Sequence, residues 1–155
     1  MAILSEQIRQ QLQQRFAERL DGPVRLRLLT RPGSGRLILP GGVGCPTCGE
    51  AQELAQEIVD SAPEKLSLEV VDVGAAGPLA EEEQGVPRLE ISKPDEEPRI
   101  AFQGLPGGYE FATVVDALER VSRSEVGLSE ESISQLGRLE ELTEPVEIMV
   151  FATPT

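Results

Sequence analysis

The 155-residue sequence contains no histidine, no tryptophan and no asparagine. Without His there is no Ser/His/Asp or Cys/His nucleophile and no imidazole ligand for a metal. Basic charge is nearly all Arg; a thermophilic source or a GC-rich genome each produces that bias together with the missing Asn. No run approaches the eighteen or so apolar residues that a membrane helix needs. The opening MAILSEQIRQQLQQRF lacks a continuous apolar segment, so it is not a signal peptide and the cytoplasm is the expected compartment. Positive charge is scarce: a net charge of −13 argues against a nucleic-acid backbone or an anionic membrane as partner. What remains is globular in character, with enough length for one domain and its core, or one domain plus part of another.

Periodicity divides the chain. Ile8, Leu12, Phe16 and Leu20 recur every four residues and predict a helix over 4–20, with Ser5 as its N-cap. VRLRLLT at 24–30 alternates and then runs apolar, as a strand entering a core does. RPGSGRLILPGGVG at 31–44 is a Gly/Pro-rich loop or small hairpin. Ala51, Leu54, Ala55, Ile58 and Val59 mark a helix expected to begin near Cys45 and to stop before Pro63. LSLEVVDV at 66–73 is a second strand, PLAEEEQ at 78–84 a short acidic helix, and VPRLEIS and RIAFQG two further strands joined by KPDEEP. Phe111, Val114, Val115, Leu118 and Val121 define a last amphipathic helix.

The first two strands are joined by a helix and should be parallel; the last two are joined by a tight turn and should be antiparallel. That order predicts an α/β, thioredoxin-like three-layer fold: a mixed four-stranded sheet with flanking helices, preceded by the N-terminal helix.

The chain then repeats its own beginning. LSEQ at 4–7 is echoed by LSEE at 128–131, and PVRLRLLT at 23–30 by PVEIMVFAT at 145–153, with a helical stretch between the two in each copy. We therefore expect residues 1–124 to form one thioredoxin-like unit and residues 125–155 to supply the opening helix and first strand of a second. The terminal strand at 146–152 needs a partner, which is its own sheet, another chain or the rest of a second unit.

Both cysteines of the chain lie in VGCPTCGE, residues 43–50. Two cysteines placed at random fall at this spacing roughly once in eighty trials. The pair also stands where a strand gives way to a helix, whose free amides and partial positive charge favour thiolate over thiol. Cys45, expected at the helix start and open to solvent, is the candidate nucleophile, and Cys48, one turn further in, the resolving thiol. Pro46 suits a first helical turn, and Thr47 adds a hydroxyl near the sulfurs. The matching chemistry is thiol–disulfide exchange with protein substrates. Val86-Pro87 opens the third strand; in a thioredoxin-like fold this proline is cis and turns the Val86 backbone toward an incoming peptide. A strand-opening proline without that role is the plain alternative. Zinc would need ligands from a second chain or from carboxylates, because two thiols fall short of four ligands. Glu50, Glu53 and Asp72 read as a solvated acidic face, and nothing in the sequence asks for a bound cofactor.

The stretches LSLEVVDV, VPRLEI, PRIAFQGLPGGYEFATVVDAL and PVEIMVFATPT resemble the tandem thioredoxin-fold proteins, namely the archaeal and bacterial protein disulfide oxidoreductases also called glutaredoxin-like proteins. They look similar too to the N-terminal domain of the flavoprotein that reduces bacterial alkyl hydroperoxidase. The resemblance implies Cys45 and Cys48 as the redox pair, Pro87 as the cis-proline, and a second CxxC beyond Thr155 in a full-length relative. It further implies protein disulfides as substrates and a thioredoxin-reductase-like flavoprotein as electron donor. The sequence departs from these families in one place: a long loop precedes Cys45, where their strand runs almost directly into the motif. The alternative reading is a non-catalytic docking module of a larger redox protein.

Overall fold

The computed structural model describes residues 2–31, 45–73, 85–98, 100–141 and 143. Helix α1 spans Glu6–Arg19, and the Ser5 hydroxyl caps it by accepting from the Ile8 N–H at 3.3 Å. Strand β1 (Val24–Thr30) follows, then α2 (Cys48–Asp60) and β2 (Leu66–Asp72). Strands β3 (Arg88–Ser92) and β4 (Ile100–Gln103) come next, then α3 (Tyr109–Arg123), α4 (Glu130–Leu136) and a short 3₁₀ turn over Gly137–Glu141.

The strands form one sheet in the order β2-β1-β3-β4. β1 and β2 are parallel, with Val24 opposite Leu66 and Thr30 opposite Asp72. β3 runs antiparallel to β1, with Leu29 opposite Arg88, and β4 antiparallel to β3, with Arg88 opposite Gln103. The expected thioredoxin-like α/β topology is therefore what forms. Alternation sorts the side chains. Val24, Leu26 and Leu28 of β1, Leu66 of β2, and Leu89 and Ile91 of β3 share one face, where they are almost wholly buried. That face forms a single core with Leu12, Phe16 and Leu20 of α1 and its flank, Leu54 and Ile58 of α2, and Val114 and Leu118 of α3. The opposite face carries Arg25, Arg27, Arg88 and Glu90, with Glu90 held by Arg27 and Arg88 at 3.1 Å each.

Two boundaries differ from expectation. α2 begins at Cys48, three residues later than expected, with Pro46 and Thr47 in a turn before it. One of the three residues has a local reason: a residue preceding proline is driven out of the α region, so Cys45 itself is not helical. Likewise β3 starts at Arg88, after Pro87, and not at Val86. All of the expected loop over 31–44 except Arg31, the acidic helix over 78–84 and the terminal strand over 146–152 lie outside the described residues. Among the described residues no helix is long and apolar enough to cross a membrane.

Candidate functional site

The crossover β1–α2–β2 fixes where the cysteines stand. The far end of α2 lies at the start of the strands, where the Val24 N–H donates to the Lys65 carbonyl at 2.8 Å. Helix α2 has 13 residues, about 20 Å of rise, and so returns across nearly the whole length of a seven-residue strand. Its N-terminus accordingly lies at the other end of the sheet, where β1 and β2 finish and β3 begins.

There Cys45 and Cys48 form a disulfide with a Cα–Cα separation of 5.4 Å. Cys48 is the first residue of α2 and the first of its buried positions, followed by Ala51, Leu54, Ala55 and Ile58. Cys45 precedes the helix, and Thr47 is its N-cap, with φ −105° and ψ 0° and no side-chain capping bond. The Thr47 carbonyl accepts the first intrahelical bond, from the Ala51 N–H at 2.9 Å. The amides of Cys48, Gly49 and Glu50 precede that bond and have no intrahelical acceptor, so they point back toward the cysteine turn. Glu50 puts a carboxylate in the same first turn, which offsets part of the positive potential.

Exposure departs from expectation at one residue. Cys45, expected open to solvent, is only 5 % exposed, and Cys48 is 3 % exposed. Cys48 leads the stripe of α2 that faces the sheet, and the disulfide holds the Cys45 sulfur beside it. Pro46 is exposed and Thr47 half-buried, so the turn between the cysteines is the accessible part of the motif.

The Val86–Pro87 peptide is cis. Because Leu29 pairs with Arg88, Pro87 stands at the same end of the sheet as Thr30 and the start of α2. Pro87 is buried and Val86 half-buried. The Pro87 carbonyl accepts from the Gly104 N–H at 2.7 Å, which ties the proline to the end of β4. Gly104 holds φ +96°, a conformation that side-chain-bearing residues rarely adopt, with open space where a Cβ would be. Glycine is needed there for its backbone alone. The fold thus gathers the cysteine turn and the Val86-Pro87 turn at one end of the sheet. A cavity of about 450 Å³ lined by Ile91, Lys93, Ile100, Arg120 and Val126 lies at the opposite end, away from this chemistry.

Sequence reasoning passed over three residues at this end. Gln103 lays its carboxamide across Gly85, where a Cβ would come within 2.1 Å of Nε2. Gly104 holds the Pro87 carbonyl, and Thr30 closes β1 with a wholly buried hydroxyl. The one available signal was a polar residue ending the apolar strand that precedes the loop to the motif.

Solved structures share this fold. A protein disulfide oxidoreductase from Aeropyrum pernix K1 matches with a TM-score of 0.67 and 22 % identity, over 85 % of this chain and 53 % of that one. The alkylhydroperoxide reductase component AhpF of Enterococcus faecalis matches as a cysteine-to-alanine mutant and as its NTD_N/C domain. Each has a TM-score of 0.65 and 20 % identity, over 86 % of this chain and 59 % of the other. The chain therefore spans a little over half the length of the structures it matches. At these identities the likeness establishes the thioredoxin-like fold. No protein-family model and no curated protein matches the sequence.

Proposed function

We propose that the chain is a thiol–disulfide oxidoreductase that exchanges disulfides with protein substrates through its CPTC motif. The observation that carries this reading is the Cys45–Cys48 disulfide at the start of α2, on the same end of the sheet as the cis Val86–Pro87 turn. In the reduced chain the Cys45 thiolate attacks one sulfur of a substrate disulfide and releases the other as thiolate. Cys48 then attacks the Cys45 sulfur of the mixed disulfide, freeing the second substrate thiol and closing the intramolecular bridge. Two electrons pass from the cysteine pair to the substrate, and a dithiol donor returns them. Pro46 and Thr47 form the exposed surface between the sulfurs, and the Val86 backbone beside Pro87 offers an edge along which an extended peptide docks. A thioredoxin-reductase-like flavoprotein suits the donor role, and the cytoplasm the setting.

Residues 1–124 would make this unit and residues 125–155 the opening of a second. Both copies of the repeat support that: Ser5 and Ser129 cap their helices with nearly the same backbone, φ −64° and −67°, ψ 155° in each. A native gene product whose mass is that of these 155 residues alone, 16.8 kDa, contradicts the second unit.

The burial of Cys45 favours one alternative, a docking module whose chemistry is done elsewhere in a larger redox protein. Reduction of insulin disulfides by the chain, with dithiothreitol as donor, separates the two. An oxidoreductase loses at least a hundredfold of its rate as Cys45→Ser, whereas a module shows no rate above background in the parent.

A further inference from the structure

A buried hydroxyl without a hydrogen bond is costly enough that native proteins keep few of them. Thr30 holds one. The residue is 1 % exposed, and its Oγ1 has no hydrogen-bond partner among the described residues. Its backbone is satisfied, since the carbonyl accepts from the Val73 N–H at 3.0 Å. The side chain alone is orphaned.

Its place in the fold gives the orphan a purpose. Thr30 is the last residue of β1 and stays in register with Asp72. By strand alternation it shares the face of Leu26 and Leu28, the face against which α2 packs. It lies at the end of the sheet where α2 begins. Continuing the Leu29–Arg88 register by one residue puts it beside Pro87. Cys48 is the first of the α2 positions that turn toward this face. In the disulfide, the Cys48 sulfur has spent its valence on Cys45 and is a poor acceptor. On reduction it becomes a thiol or thiolate, a much better acceptor, in a place water hardly reaches.

We propose that Thr30 is a positioning residue for the redox pair: its hydroxyl is unpaired in the disulfide form and donates to the Cys48 sulfur once the bond is broken. The hydroxyl thereby stabilises the reduced state selectively and makes the chain a stronger oxidant than the same fold without it. This rests on the assignment of Cys45 and Cys48 as a redox pair, but it is read from their own equilibrium and needs no protein substrate. Reduction by dithiothreitol breaks the Cys45–Cys48 bond, closes the dithiothreitol ring disulfide, and delivers two electrons and two protons to the cysteines. Any proton lost on thiol ionisation goes to the buffer.

The test is the equilibrium constant of the full chain with dithiothreitol, read by trapping free thiols with a mass-adding maleimide, for the parent, Thr30→Val and Thr30→Ser. Val replaces the hydroxyl by a methyl group, and Ser keeps it. The expected result is a shift of about five- to tenfold toward the disulfide for Thr30→Val, the size of one net hydrogen bond. Thr30→Ser stays within twofold of the parent. Urea melts add a second readout: the oxidised Val variant is as stable as the parent or more so, while the reduced Val variant is less stable. A Val equilibrium within twofold of the parent, or equal shifts for Val and Ser, overturns the proposal. Loss of stability in the oxidised Val variant does so too, because an unpartnered hydroxyl has no bond to lose. A chain inert toward insulin but showing the Thr30→Val shift overturns the proposed function and leaves this inference standing.

Discussion

Arg15 shows how single residues fasten α1 to the rest of the molecule. Its guanidinium donates to Asp116 at 2.6 Å and, through Nη2 and Nε, to both oxygens of Glu119, at 3.2 Å for the Nη2 bond. Glu119 is 6 % exposed, a carboxylate that folding removes from water. The hydrogen bond to Glu119 outweighs burial, which acts the other way, and together with Asp116 raises the Arg15 pKa above its ordinary value, so the guanidinium is charged at every accessible pH. Ser122 completes the seam by accepting from the Asp21 and Gly22 N–H groups at 2.8 and 2.9 Å. Removing Arg15 leaves Glu119 buried with only Arg19, at 3.5 Å, to balance it among the described residues. Arg15→Ala is therefore expected to cost about 1–3 kcal/mol in urea denaturation, the cost of a stranded buried polar group. A loss under about 0.5 kcal/mol would mean that the pair behaves as an ordinary surface ion pair.

Elements differ in how much of their stability they own. α1 and α4 begin alike, each with a Ser hydroxyl accepting from the third residue on: Ile8 at 3.3 Å, Ser132 at 3.2 Å. α1 then buries Leu12 and Phe16, whereas α4 buries none of its residues and leaves Ile133 and Leu136 about half exposed. A seven-residue helix without tertiary packing is marginal, and its cap is a large part of what holds it. Ser5→Ala should lower global stability by about 0.5–2 kcal/mol. Ser129→Ala should leave the urea midpoint in place and speed amide exchange only across α4, and a shifted midpoint would show that α4 packs on the domain. The Ser5 cap was legible in advance, as were β1 to the residue and the parallel and antiparallel pairings, because cap chemistry, alternation and connection length are local signals. The start of α2 was misplaced by three residues, in part because the helical period after Cys48 masked the veto that Pro46 imposes on Cys45. The burial of Cys45 and the stranded hydroxyl of Thr30 depend on which strand end meets which helix start. No local pattern carries that information.

At the scale of the molecule, the sheet carries two chemically different ends. One gathers the start of α2, the disulfide and the Val86-Pro87 turn; the other holds the β3–β4 turn and the charged cavity beside α3. The end with the disulfide has the free amides of a helix start as one source of positive potential, beside Arg31 and Arg88 at the ends of β1 and β3, set against first-turn Glu50 and a net charge of −13. The whole functional account requires that this local field prevail over the acidic surroundings. Its most direct test is the pH dependence of alkylation at Cys45 in the reduced chain carrying Cys48→Ala. The account predicts a half-maximal rate below about pH 7.5, and faster reaction at neutral pH than a free peptide thiol shows. A midpoint at or above about pH 8.5, the value of an unperturbed thiol, would contradict it.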